Sequence, residues 1–320
     1  MKPNVSYCIQ ENEVHYKPYI HDYADDYLTF VALENGTFTF IPYDNSNIIN
    51  YSTDNGNTWI TGNTINVNSG DKILWKGTMN PTRYDGIGRF SSTCNFNVEG
   101  NIMSLIYNDS FDGQIDLTGK DWVFQGLFQQ ATKLINAKNL SLPATTLAND
   151  CYGAMFSSCS NLVTAPNLPA EILLSSCYSG MFAYCTSLTT TPQLSATTLS
   201  DQCYRSMFEG CTSLISVSNL PATTLAQSCY YEMFAGCTSL TVAPELPATT
   251  LVDDCYRGMF DGCTNLNYIK CLATNLVNTR NTYNWVNNVA NSGTFIKDGS
   301  MTNWTIGVGG IPSGWTVENA

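Results

Sequence analysis

The residues of this chain with the most chemistry in them are its 13 cysteines, and ten of these keep a fixed step. Cys151, Cys177, Cys203, Cys229 and Cys255 stand 26 residues apart, and Cys159, Cys185, Cys211, Cys237 and Cys263 repeat that step eight residues later. Thiolates can bind zinc, pair as disulfides or act as nucleophiles. Zinc asks for CxxC-like spacing with Cys or His partners, whereas the only histidines are His15 and His21, outside the repeat. An odd count cannot pair fully within one chain. If the segment is helical, cysteines eight apart are separated by about 12 Å, too far for a disulfide. The spacing reads as reduced, buried cysteines acting as small hydrophobes. Disulfides between neighbouring coils and a metal array are the alternatives.

Other reactive constellations are sparse. Neither a GxxxxGK[ST] phosphate loop nor an HExxH pair occurs,. A Ser-His-Asp arrangement would have to recruit His15 or His21 from the N-terminal arm. Asp112, Asp116 and Asp121 cluster where the pattern changes; paired carboxylates can do acid–base work or hold calcium, but acids in a solvated linker that cap a following helix are the simpler reading. Ser52, Asp54, Gly56, Thr58 and Trp59 resemble an Asp-box. Its physics is a hairpin turn, with Asp54 accepting from turn amides, Gly56 at positive φ and Trp59 packed under the loop. No enzyme, cofactor or metal is expected.

Chain-wide numbers agree with that. Of 320 residues, 43% are hydrophobic and only 12% charged, with a net charge of −12. An acidic chain without a basic run offers no footprint for nucleic acid or an anionic membrane surface. No apolar run approaches the roughly 20 residues that span a bilayer, so no membrane insertion is expected. The N-terminal residues lack the apolar core of a secretory signal,. Cytoplasmic synthesis, an unconventional exit or a trimmed signal would each account for this.

What must position these residues is a 26-residue unit. Cys255, Met259 and Cys263 at i, i+4 and i+8 predict one face of a helix, with Tyr256 and Phe260 beside it and Asp253 or Asp254 as its cap,. Leu240 and Leu246 point inward, and Pro244 and Pro247 limit the intervening strand to residues 240–243,. No such unit can bury its Leu, Met and Phe alone, so the units must stack. Residues 123–147 match as a ragged first copy, and residues 282–320, with Trp285, Phe295, Trp304, Ile311 and Trp315, read as a short β-rich cap.

The pattern CYxxMFxGCTSLTxxPxLPATTL, carried by these units, resembles the BspA-like leucine-rich repeats over residues 120–320. The closing Gly310-Ile-Pro-Ser-Gly-Trp315 resembles the tail that ends many such chains. The resemblance implies a leucine-rich-repeat fold and attachment to a host surface, since the family is linked to surface proteins of gut and oral anaerobes and to their phages. It supplies no catalytic residues.

Residues 1–118 lack the repeat. Short alternating runs near residues 27–33, 37–41, 47–51, 64–67, 72–75, 94–98 and 101–107, parted by Gly, Asn and Asp turns, predict an antiparallel β-sandwich of immunoglobulin-like size,. The expected class is therefore α+β: an arm or first hairpin (1–22), a β-sandwich (23–118), a leucine-rich-repeat solenoid (119–281) and a cap (282–320).

Binding is the expected function class. Outward positions of the short strands hold Thr164, Thr190, Ser216, Val242 and Tyr268, and those after the proline hold Asn167, Gln193, Asn219 and Glu245. Tyr184 and Tyr231 break the repeat and are candidate exposed contacts, whereas the periodic Tyr152, Tyr178, Tyr204, Tyr230 and Tyr256 are expected in the core. The expected partner is a host-surface protein or glycan, with other virion proteins held through the N-terminal module. Three expectations follow: a phage virion component, assembled in the host cytoplasm, that displays the repeat blade; a secreted or surface-anchored bacterial adhesin; and a structural virion subunit without a receptor.

Overall fold

A computed structural model describes residues 26–81, 86–276 and 280–320. The expected arm at residues 1–22, with His15, His21 and Cys8, lies outside the described residues.

Residues 26–101 form two facing sheets. Strands β1 (Leu28–Ala32), β2 (Gly36–Pro42), β3 (Ile49–Ser52), β4 (Ile60–Thr61), β5 (Thr64–Val67), β6 (Lys72–Gly77), β7 (Gly88–Ser92) and β8 (Phe96–Asn101) pair antiparallel throughout. One sheet runs β4-β3-β6-β1-β8 and the other β5-β2-β7. Alternation explains the packing: every second side chain of a strand faces one side, and the largest of the inward ones here are aromatic. Phe30 of β1 meets Phe38 of β2 at 5.3 Å and Phe90 of β7 at 4.7 Å, and Trp75 meets Phe90 at 5.2 Å. Residues 101–107 depart from the expected strand. Asn101 ends β8, its Oδ1 accepts from the Met103 amide (2.9 Å), and Ser104–Tyr107 form a single helical turn, α1. Ser104 Oγ, fully buried, bonds both the Leu28 amide and the Trp75 carbonyl. The local Asn101–Met103 bond competes with strand pairing,.

The change of pattern near residue 118 is not a break in packing. β9 (Leu134–Ser141) lies parallel to β8 and extends the first sheet to six strands, making it mixed. Phe128, from the first ragged unit, stacks on Phe90 at 5.7 Å and joins the sandwich core.

Beyond β9 the expected helices are absent. Among the described residues the only helical segments are α1 and a 3-10 turn at Asn108–Ser110, so the α+β class gives way to strands and turns. Residues 149–158 show what replaces the helix. The amides of Tyr152, Ala154, Phe156 and Ser158 reach the carbonyls of Cys177, Ser179, Met181 and Ala183 in the next unit, at 2.7–3.0 Å. The alternate amides, of Gly153, Met155, Ser157 and Cys159, close turns onto the carbonyl three residues back. Every fourth residue takes positive φ: Asp150 (51°), Ala154 (50°) and Ser158 (62°), then Ser176, Gly180 and Tyr184, and so on to Asp254, Gly258 and Gly262. The result is a flat turn ribbon with a period of four, so Cys255, Met259 and Cys263 still share a face. Asp254, predicted as a helix cap, is a left-handed ribbon residue (φ 56°).

The reason lies in the rings. Tyr152, Tyr178, Tyr204, Tyr230 and Tyr256 stack face to face at 5.8–6.0 Å, and Phe128, Phe156, Phe182, Phe208, Phe234 and Phe260 at 5.3–5.9 Å. Packed helices keep their axes about 8–10 Å apart. A helix in each unit would pull these rings out of contact and send every amide back into its own unit. The ribbon lets half of them bond the neighbour instead.

Both ring rows converge on Trp285, which lies 6.2 Å from Tyr256 and 6.3 Å from Phe260. Trp304 stacks behind it at 5.5 Å. The cap contributes β11 (Thr294–Lys297) and β12 (Thr316–Asn319), which continue in parallel from β10 (Tyr268–Cys271) of the last unit to make a three-stranded sheet.

Left-handed φ costs a residue with a Cβ about 1–2 kcal/mol, part of which glycine returns as extra freedom in the unfolded chain. Ala154→Gly is therefore expected to stabilise the chain by about 0.5–1 kcal/mol, read as a higher urea midpoint with an unchanged slope. Gly210→Ala should do the reverse. Its φ is 69°, and a Cβ there would sit 2.5 Å from the Tyr184 ring.

Candidate functional site

The cysteine rows are packing elements. Cys94, Cys271 and the ten periodic cysteines are all buried and unpaired. The second row has a specific partner. Cys159, Cys185, Cys211, Cys237 and Cys263 each donate Sγ–H to the carbonyl of the ribbon Phe 29 to 31 residues earlier, at 3.0–3.1 Å. Burial pushes the thiols of Cys151, Cys203, Cys211, Cys255 and Cys263 up to about 12 and raises those of Cys177, Cys185, Cys229 and Cys237 well above their usual range. Nucleophilicity and metal binding both need the thiolate. At pH 8 the ten periodic thiols should stay unlabelled by a disulfide reagent until urea unfolds the chain. Rapid labelling of several of them in buffer would mean that the units open. Among the described residues, no group of three or more His, Cys, Asp or Glu could hold a metal ion, and no helix is long and apolar enough to cross a membrane.

Of the acids near the junction, Asp116 closes a local turn and Asp121 ties to the next unit, in place of the expected helix cap. Asp116 Oδ1 accepts from the Thr118 amide at 2.7 Å and Asp121 Oδ1 from the Asn149 amide at 3.0 Å. The Asp-box residues form the predicted turn. Asp54 accepts from the Thr58 amide (2.9 Å), the Thr58 hydroxyl (2.7 Å) and Ser52 Oγ (2.8 Å), and Gly56 has φ 85°. Those bonds, Thr58's first, hold the Asp54 carboxyl below its ordinary value. Its contribution to the loop is complete at neutral pH and is lost as pH falls through the depressed value. Trp59 covers Lys76, whose Nζ lies 4.1 Å from the ring and 2.6 Å from Asp109 Oδ1. Tyr27 donates to the same Asp109 oxygen at 2.6 Å, and burial, then that bond, pushes its phenol up to about 12.

The predicted binding residues fall into two separate strips. Thr164, Thr190, Ser216, Val242 and Tyr268 follow a parallel bridge ladder: Asn136 pairs with Thr164, Thr190 with Ser216, Val242 with Tyr268, and Tyr268 with Thr294 of β11. Thr190, Ser216 and Val242 are exposed, Thr164 and Tyr268 half-buried. Asn167, Gln193, Asn219 and Glu245 are exposed beyond the inward Leu, and Glu245 pairs with Lys270 at 3.0 Å.

Tyr184 and Tyr231 lie on the turn ribbon instead. Tyr184, about half exposed, lays its ring across Gly210 and donates its hydroxyl to Glu209. Tyr231 sits between two guanidinium groups, with the Arg205 carbon 4.9 Å and the Arg257 carbon 5.4 Å from its ring centre. Arg257 in turn lies 5.2 Å from the Tyr283 ring. Arg205, Tyr231, Arg257 and Tyr283 occupy one position of successive units, 26 residues apart. Sequence reading singles out Tyr231 but not the arginines, because the ladder alternates two residue types instead of repeating one. Their 26-residue step, with tyrosine between, was the available signal. The periodic tyrosines, by contrast, are core as expected, none more than 2% exposed.

The chain matches no protein-family model, no curated protein and no solved structure.

Proposed function

We propose that this chain is a non-catalytic display protein: a leucine-rich-repeat-type solenoid of the BspA-like kind, built on a β-sandwich, that attaches to a host-surface protein or glycan. Its setting is a phage virion, as a tail- or capsid-associated component, with the sandwich as the module facing other virion proteins. One observation carries the reading. The inward positions of successive units are fixed, Cys-Tyr then Met-Phe, and buried, while one outward ribbon position changes from Ser179 to Arg205, Tyr231, Arg257 and Tyr283. A rigid scaffold with variation confined to its outer positions is how recognition surfaces are built on repeats. The likeness of the repeat pattern to chains of gut anaerobes and their phages supports the virion setting.

Labelled full-length chain should bind saturably to cells of a gut anaerobe, and mass spectrometry of purified phage from that host should find the chain. A chain present in virions that binds no cells would leave the structural-subunit reading. A chain absent from virions would remove the virion setting.

A further inference from the structure

Resting on that attachment reading, we infer that the ribbon strip centred on Arg205, Tyr231 and Arg257 is a binding site for an uncharged polysaccharide laid along the stack. Three features select this ligand.

The first is preorganisation. Each guanidinium lies over Tyr231, its carbon 4.9 Å (Arg205) or 5.4 Å (Arg257) from the ring centre. Arg205 also donates to Gln202 Oε1 (3.1 Å), and Arg257 reaches Asp254 Oδ1 (3.5 Å). The backbone beneath is locked as well: the carbonyls of Arg205, Tyr231, Arg257 and Tyr283 each accept an amide from the preceding unit at 2.7–2.9 Å. A guanidinium has five donors in a fixed fork, and few are used here. Ordering them was completed on folding, so little more is lost when a ligand binds.

The second is the mix of charge. The strip carries Glu209 and Glu232 beside Arg205 and Arg257, and Asp254 against Arg257 and Arg280. Glu232 is partly buried, and desolvation followed by the charge of Glu209 raises its carboxyl. A polyanion meets these acids and a polycation meets the arginines. Hydroxyl groups, which both donate and accept, suit donors and acceptors that alternate at close range.

The third is period. The stacked tyrosines of these units are spaced 5.9 and 6.0 Å, so along the strip arginine alternates with tyrosine at that step and the two arginines recur at twice it. A polymer of like units can match such a series, whereas a folded protein surface presents no such repeat. The ring of Tyr231 is covered by guanidinium on account of both arginines, leaving no apolar pocket of the kind that anchors protein partners.

The test is affinity electrophoresis of the full-length chain through gels containing yeast mannan, arabinoxylan, laminarin or dextran, with alginate and heparin as acidic comparisons. Retardation is expected in at least one neutral polysaccharide and should survive 0.5 M (roughly a 4 Å Debye length) salt. In the Arg205→Ala/Arg257→Ala variant the affinity should fall about tenfold or more, since hydrogen bonds to charged groups are the stronger kind. The Arg205→Lys/Arg257→Lys variant keeps charge and stem but not the fork, and should lose binding likewise while melting with the wild type. Absence of retardation by every neutral gel, retardation by acidic gels alone, or unchanged affinity in the Lys variant overturns the inference. Cell binding, run in parallel, separates the two readings. Cells bound equally by the Lys variant would reject this site and keep attachment; polysaccharide binding without cell binding would do the opposite.

Discussion

Phe208→Ala should lower the stability of the chain by about 4–5 kcal/mol, the upper half of the range for a buried aromatic. The ring is fully buried and lies between Phe182 at 5.6 Å and Phe234 at 5.7 Å, within 5° of parallel to both. Two ring pairs are lost at once, each contributing about 0.5–1.5 kcal/mol beyond burial. The cavity cannot close easily. The Phe208 amide bonds Met233 O at 2.9 Å, its carbonyl accepts from Cys237 Sγ at 3.1 Å, and both flanking units are tied by the same ladder. Rigid surroundings place such substitutions at the costly end of their range. Urea unfolding followed by circular dichroism reads the change. A loss below about 1 kcal/mol would show that the ring is not a rung of the stack.

Trp285→Ala should be comparably severe, about 3–5 kcal/mol, and different in kind. Trp285 is fully buried, closes both ring rows and donates Nε1–H to the Gly310 carbonyl at 2.8 Å. Its removal exposes the last rings of both rows and unties the segment that carries Gly310. The expected signature is local. Amide exchange should accelerate in β11, β12 and the unit around Cys255, while β1, β6 and β8 keep their protection, because repeat arrays open from their ends. Trp285→Phe keeps a ring against Tyr256 and loses the hydrogen bond, so its extra cost should be about 1 kcal/mol plus the smaller area. Exchange that rises equally everywhere would mean that the cap is not an independent closure.

Much of this was readable from residue types. The 26-residue step, the burial of Cys, Tyr, Met and Phe, the inward Leu240 and Leu246 and the sandwich strands around Phe30, Phe38 and Trp75 all follow from spacing and alternation. The helix did not follow. Spacing of i, i+4 and i+8 fits a 3.6-residue helix and a four-residue ribbon alike, and only bonds between units distinguish them. A local cue existed in the residues at every fourth place, Asp254, Gly258 and Gly262, or Asn284 and Asn288, which tolerate left-handed φ,. The strip of Arg205, Tyr231 and Arg257 was half visible. Tyr231 stood out by type, but its arginine neighbours come from other units, Arg205 and Arg257, 26 residues away on either side.

By itself, then, the sequence determined the period, the inward set of each unit, the reduced state expected of its cysteines and the β-character of residues 26–101, because these depend on composition and on spacing along one segment. The tertiary structure decided three things: that the ribbon replaces a helix, that the sandwich and the repeats share one core through Phe90 and Phe128, and that Arg205, Tyr231 and Arg257 meet. The physical reason is common to all three. Each is fixed by hydrogen bonds or ring contacts between units about 26 residues or more apart, and the free energy of such contacts is set by how the units stack.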